Sequence, residues 1–312
     1  MFATLLGALP RPNGADGQPI ADDDEAVAAV LAAQAAAGLE PLTDGRLRAG
    51  GAFWEPSRDA AIVVDAWRFA ASHADGVVKQ ALPGPYSLGR RADHEDRDAS
   101  TLTWARLLRE QVSALAEAGC QLIEIEEPDA HRIGEDPAER RRFAEAHMAM
   151  LEGIGGAHLS LAITGGNADT AGIETILAAP YASLAVDLIN GPDNWRLVTS
   201  TPGDRGIICG VVSTSAASDD APDLMLWAAA YASASEGRGA TRVGLGTAGG
   251  FGELSWDVAA RKMQALGEAA RLAQLPLSEV APHLDPRAID IKSAAMGRYV
   301  PQSGRRPRRP LP

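Results

Sequence analysis

The feature that most constrains the fold is a regular alternation of short apolar runs with longer amphipathic segments. Eight runs have the length and residue types of strands, and helical patterns separate most of them. No hairpin signal joins two neighbouring runs, so we expect the strands to lie parallel. The predicted strands cover residues 2–9, 41–45, 77–82, 121–126, 158–164, 184–189, 206–212 and 242–245.

Eight strand–helix units in a chain of 312 residues predict an α/β fold, namely a single (β/α)8 TIM barrel. The alternative is an open, doubly wound sheet, but no G-x-G-x-x-G motif follows the first predicted strand. We expect the barrel to span residues 1–302. Residues 303–312 consist mainly of Arg and Pro and are expected to form a disordered basic tail.

Charge and composition limit the classes of partner. The net charge of −12 argues against a nucleic-acid partner, because phosphates would be repelled. No apolar stretch is long enough to cross a bilayer, and the N-terminus lacks the pattern of a signal peptide. With only two cysteines, the chain is expected in the reducing cytoplasm, acting on a small-molecule substrate. The sequence does not determine the oligomeric state.

The most informative local feature is the acidic run at the end of the fourth predicted strand. Glu124 and Glu126 point to the same side of a strand, where two carboxylates are costly unless they bind something. They could hold an amine, act as an acid or base, or bind a metal; a salt-bridged pair with basic neighbours is the alternative. Because strand ends form the mouth of a barrel, we predict Glu126, Glu127 and Asp44 as catalytic residues.

Further candidates also lie at or after strand ends. Lys79 is the natural counter-charge for the acidic run, in either a structural ion pair or a substrate role. Asp44 begins an Asp-Gly turn, so a purely structural role is equally compatible with its position. Trp54 and Glu55 could stack a flat ring and hold its polar edge, or could simply anchor their loop. The remaining predicted substrate-binding residues are Leu6, Gly7, Ala8, Gln80, Asn167, Asp187 and Ser213.

Four segments resemble the catalytic barrel of cobalamin-independent methionine synthase, within the uroporphyrinogen decarboxylase-like superfamily. Residues 4–11 resemble the opening strand of that family, which usually reads Ile-Gly-Ser. Residues 34–45 resemble its "Q…AG…TDGE" segment, and residues 79–85 resemble its "VKGxLTGP" strand. Residues 115–128 resemble its "L…AGC..IQIDEP" segment.

The resemblance implies a transferase that moves a methyl or other one-carbon group, with a tetrahydrofolate derivative as the candidate cofactor. It also implies an amino-acid-like or thiol substrate. Glu126 matches the family's Asp that grips the amino group of homocysteine, and Leu6, Gly7 and Ala8 match its Ile-Gly-Ser backbone contacts. Ala8 replaces the serine, which removes a hydroxyl contact.

The second half departs from the family's zinc site. The family binds zinc through His-x-Cys on strand five, Glu on strand six and Cys on strand eight. Here the fifth predicted strand begins at His158 and contains no cysteine, Asp187 is the best carboxylate on the sixth, and Thr247 follows the eighth. We therefore expect no zinc and an altered, zinc-independent chemistry. The alternatives are a metal-free lyase or decarboxylase of the superfamily, or a non-catalytic binding subunit.

Overall fold

A curled sheet of seven parallel strands forms the centre of the protein in this computed structural model, which describes residues 1–49, 53–92 and 96–280. The strand order is β1-β7-β6-β5-β4-β3-β2. Strands β2 to β7 therefore lie beside their neighbours in the chain, whereas β1 pairs with β7 and not with β2. The strands are β1 Phe2–Thr4, β2 Gln80–Pro83, β3 Leu122–Glu126, β4 His158–Ile163, β5 Ser183–Asp187, β6 Gly206–Val212 and β7 Val243–Thr247. The predicted parallel α/β architecture is confirmed.

Helices cover the outer face of the sheet. They are α1 Asp23–Ala36, α2 Ala60–Ser72, α3 Pro85–Arg91, α4 Arg97–Glu117, α5 Pro137–Leu151, α6 Ile173–Ile176, α7 Trp195–Ser200, α8 Pro222–Ala234, α9 Trp256–Leu272 and α10 Leu277–Val280. Four aspartates cap helix starts, because each carboxylate accepts a hydrogen bond from a backbone N–H of the first turn. The capping residues are Asp22, Asp59, Asp96 and Asp136. No helix within the described ranges is long and apolar enough to cross a membrane.

The prediction of eight strands is confirmed only in part, because residues 41–45 do not form a regular strand. They make one isolated parallel bridge, Leu42 to Val78, while Glu40 makes an antiparallel bridge to Ala3 of β1. Pro41 has no N–H to donate to a sheet ladder, and the chain turns at Gly45, whose φ is +67°. Residues 40–45 thus lie between β1 and β2, and we call this gap in the strand ladder the seam.

Two apolar layers stabilise the fold. The larger one lies between the sheet and the helices and includes both cysteines. The smaller one lies inside the curled sheet, where Leu6, Ala162, Ala185 and Ile208 pack together against Phe2. Polar side chains share this inner face, and they define the candidate sites. The predicted basic tail, residues 303–312, lies outside the described residues.

Candidate functional site

Glu126 ends β3 on the inner face of the sheet. Its register partner is Ala162 of the inner apolar layer, so Glu124 and Glu126 both point inward. The Glu126 side chain is 4% exposed and forms an ion pair with Arg46. Among the described residues, Oε1 of Glu126 and Nε of Arg46 are buried and have no hydrogen-bond partner. The mouth therefore contains an unused acceptor and an unused donor on two paired side chains.

Arg46 is the residue that sequence analysis missed. Its guanidinium lies 3.5 Å above the centre of the Phe53 ring, and burial lowers its pKa to about 10 against the opposing charges of Glu124 and Asp44. The residue adopts φ +59°, a conformation that L-residues rarely adopt. One signal could have revealed it: the related segment "TDGE" ends in an acidic residue, and this chain has Arg46 there.

Glu127 faces the opposite side of the sheet and is fully buried against the helices. Its carboxylate accepts hydrogen bonds from the backbone N–H groups of Tyr86 at 2.9 Å and Ser87 at 2.8 Å, which belong to the first turn of α3. His147 lies 3.0 Å away through Nε2. Glu127 thus caps the N-terminus of α3 and does not face the mouth. This orientation is expected because successive residues of a strand point to opposite sides and Glu126 points inward.

Lys79 and Glu124 form a second buried ion pair, with Nζ 2.9 and 2.8 Å from the two carboxylate oxygens. Burial lowers the pKa of Lys79, and the Glu124 charge opposes this shift. The pair lines a cavity of about 330 Å³ together with residues that begin strands, such as Leu122 and His158. Lys79 is therefore the counter-charge of Glu124 in a buried ion pair, which lies toward the amino ends of the strands and not at the mouth.

Three predicted residues, Asp44, Glu55 and Gln80, line a pocket of about 320 Å³ at the seam. We call it the seam pocket; α2, β2 and Gln111 of α4 complete its walls. Asp44 is buried, and burial raises the pKa of its carboxyl group. Trp54 lies beside this region, where the Arg91 guanidinium stacks 3.7 Å above its ring.

The end of β1 is bound to the loop after β7 by its own backbone. The N–H of Leu6 donates to Oγ1 of Thr247 at 2.8 Å, and the carbonyl of Ala8 accepts from the N–H of Phe251 at 2.6 Å. A Cβ on Gly7 would lie 2.6 Å from the backbone of Gly250. Only glycine fits there, so residues 6–8 and the loop after β7 form one closely packed edge of the mouth.

The remaining predicted residues order the loops after β4, β5 and β6. Asp187 is buried and accepts hydrogen bonds from the backbone N–H groups of Gly165, Ile189 and Asn190 and from the Asn190 side chain. The side chain of Asn167 donates to Asp193 at 3.1 Å, and Oγ of Ser213 accepts from the N–H of Ser215 at 3.1 Å. The structure brings these residues to one end of the sheet, in loop-stabilising contacts.

The donor set does not fit a zinc centre of the kind that the resemblance implies. Within residues 1–49, 53–92 and 96–280, no three His, Cys, Asp or Glu side chains are close enough to hold a metal ion. Burial raises the pKa of Cys120 to about 11 and that of Cys209 to about 12, so both thiols are protonated at neutral pH. Both pack in the outer apolar layer, away from the mouth.

A curled parallel sheet enclosed by helices, with buried charges on its inner face, defines an α/β protein of the TIM-barrel-like class. Among solved structures, the fold is similar to that of a B12-independent methionine synthase from Shewanella sp. W3-18-1 in complex with selenomethionine. The identity is 14%, the TM-score is 0.73, and the match covers 90% of this chain and 98% of that chain. The resemblance to cobalamin-independent methionine synthase that the motifs indicated is thereby confirmed at the level of the fold.

A second similar structure belongs to a candidate vitamin-B12-independent methionine synthase from Listeria monocytogenes. It is 14% identical with a TM-score of 0.65, and the match covers 87% of this chain and 97% of that chain. No protein-family model and no curated protein sequence matches the chain. The two structural matches establish the fold.

Proposed function

We propose that this protein is a methionine-synthase-like transferase that moves a methyl or other one-carbon group to or from an amino-acid-like substrate. The observation that carries the proposal is the pair of unsatisfied groups in the mouth, Oε1 of Glu126 and Nε of Arg46. An α-amino acid offers the complementary groups, since its ammonium can donate to Glu126 and its carboxylate can accept from Arg46. The similarity in fold to methionine synthase structures supports this assignment.

The roles assigned to these residues are binding and orientation. Glu126 would hold the ammonium, Arg46 would hold the carboxylate, and the packed edge formed by residues 6–8 and the loop after β7 would bound the substrate on the other side. Because both charged groups are buried, their hydrogen bonds to a substrate would be strong and directional. Zinc has no role in this proposal, because the described residues do not supply its ligands.

The proposal has three further parts. A tetrahydrofolate derivative is the proposed one-carbon donor, on the basis of the sequence resemblance. The cytoplasm is the proposed setting, in line with the two free cysteines. Finally, we propose that residues 40–42 complete a closed barrel as its eighth strand, because they bridge β1 on one side and Val78 on the other.

Calorimetric titration of the full chain with L-methionine and L-homocysteine tests the proposed site. We expect Glu126→Gln to weaken binding by about 1–3 kcal/mol, the scale for a charged hydrogen-bond partner. Glu152→Gln is the matched control, because that carboxylate is 75% exposed and pairs with Arg109 at the surface. Equal affinities of the wild type and Glu126→Gln would remove Glu126 from the site. Transfer of label from methyl-tetrahydrofolate to each amino acid that calorimetry shows to bind tests the reaction itself, and absence of transfer to every bound amino acid would refute it.

A further inference from the structure

The seam pocket has the composition of a small-molecule site. Its volume of about 320 Å³ falls in the range of ligand pockets, roughly 300–1,000 Å³. The apolar part of its wall consists of Phe53, Ile62, Val63, Leu82 and Pro83. Ile62 is 58% exposed, the largest exposed fraction among the large hydrophobic side chains of the described residues. An apolar ligand lying against α2 would cover it.

Two residues of the pocket wall have buried polar atoms with no hydrogen-bond partner among the described residues: Gln111 at Oε1, and Arg48 at Nε and Nη2. Gln111 is 2% exposed, and its Nε2 donates a hydrogen bond to the carbonyl of Ser57 at 2.7 Å. That bond determines which way the amide points and leaves Oε1 buried, with no hydrogen-bond donor among the described residues. A buried acceptor without a donor costs about 1–3 kcal/mol, so a ligand that brings an N–H group to Oε1 is favoured.

Asp44 supplies a second acceptor in the pocket wall. Its Oδ1 accepts from the N–H of Arg46 at 2.9 Å, and no side-chain donor among the described residues bonds to the carboxylate. The carboxylates of Glu55 and Asp59 also line the pocket. The opposing cation is Arg48, whose guanidinium lies 4.0 Å above the Phe69 ring. Its charge is paired with Asp24, although Nε and Nη2 have no hydrogen-bond acceptor among the described residues. The pocket therefore offers acceptors and an excess of negative charge.

We propose that the seam pocket binds a small organic amine or amidine, with its apolar body against α2 and β2 and its N–H donors directed at Gln111 and Asp44. A carboxylate ligand would be repelled by Asp44 and Glu55, and a purely apolar ligand would leave Oε1 of Gln111 unsatisfied. A cation beside Asp44 also relieves the cost of burying that carboxylate alone. Binding of an amine in the seam pocket does not depend on the proposed one-carbon transfer.

Benzamidine is a suitable probe, with benzoate and benzyl alcohol as ligands of similar size and different charge. Ligand-observed NMR and calorimetry on the full chain should detect benzamidine binding and should rank benzyl alcohol and benzoate far below it. Asp44→Asn keeps an acceptor for the N–H of Arg46 but removes the charge, and it should weaken benzamidine at least tenfold. Gln111→Leu should weaken it several-fold, and Ala66→Trp should block the pocket, since Ala66 lines it.

Two controls locate the probe. Glu126→Gln should leave benzamidine affinity unchanged, because Glu126 belongs to the mouth and not to the seam pocket. Melting temperatures should show that each variant is folded at the temperature of titration; if Asp44→Asn is not, Ala66→Trp carries the test. Equal binding of benzamidine and benzoate, absence of benzamidine binding, or loss of binding in Glu126→Gln would each overturn the proposal.

Discussion

The ammonium group of Lys79 lies 2.8 and 2.9 Å from the two carboxylate oxygens of Glu124, and the two side chains are only 1% and 2% exposed. Lys79 comes just before β2 and Glu124 lies on β3, so neighbouring parallel strands bring the two charges together. Neither charge would be tolerated alone at this depth, because each has lost its hydration.

This pair leads to a prediction about stability. Lys79→Met leaves a buried, unpaired Glu124, and we expect it to lower the free energy of unfolding by about 3–5 kcal/mol. The double variant Lys79→Met with Glu124→Leu removes both charges and should recover most of that loss. Urea denaturation measures both. If the double variant were as unstable as the single one, the cost would come from lost packing and not from the unpaired charge.

Glu127 is predicted to be structural. Glu127→Gln replaces one carboxylate oxygen with an NH₂ group that faces the N–H donors of Tyr86 and Ser87, so we expect a loss of about 1.5–3 kcal/mol in unfolding free energy. At a temperature where the variant is folded, its affinity for L-methionine should match that of the wild type. A large loss of affinity with normal stability would instead place Glu127 in the binding site.

Glu139 should make stability depend on pH. Burial alone would raise its pKa, but hydrogen bonds from Tyr86 at 2.6 Å, Arg97 at 2.9 Å and Arg142 at 2.7 Å outweigh burial and lower it. Because the folded pKa lies below the unfolded one, near 4.5, the carboxylate stabilises the fold above that pH. This stabilisation is lost as the pH falls through the folded pKa.

The test is the difference in unfolding free energy between the wild type and Glu139→Gln, measured by urea denaturation from pH 7 to pH 3. We expect the wild type to be more stable at pH 7 and the difference to shrink below about pH 4.5. The exposed pair of Glu152 with Arg109 serves as control, and Glu152→Gln should change stability by less than about 1 kcal/mol. A difference that stays constant with pH would contradict the assignment.

The metal content is also predicted. With Cys120 and Cys209 buried in the outer apolar layer and protonated at neutral pH, we expect zinc well below one ion per chain. Elemental analysis should use protein purified without a chelator or a metal-binding tag. One zinc per chain that survives dialysis, and whose removal abolishes homocysteine methylation, would overturn both this prediction and the altered chemistry.

The sequence by itself determined the class of fold. The signals that indicated the class of fold are local ones: alternating apolar runs, aspartate caps and the absence of hairpin turns. The apolar runs also predicted β6 at its observed bounds, 206–212, and β3 to within one residue. The local patterns did not predict α3, which begins at Pro85, although proline suits the first turn of a helix. The local pattern also predicted a strand at residues 41–45, but Pro41 interrupts the strand ladder there and leaves one isolated parallel bridge.

Only the tertiary structure decided which candidates share a site. The sequence put Glu126 and Glu127 together, but successive residues of a strand face opposite sides, so one lies in the mouth and the other caps α3. Arg46 lies in the mouth because its backbone turns at a positive φ and its side chain reaches Glu126 of β3, which is distant in the chain. Asp44 and Gln111 are far apart in the chain, yet both line the seam pocket. Burial and charge pairing depend on such tertiary contacts, and no local sequence pattern encodes them.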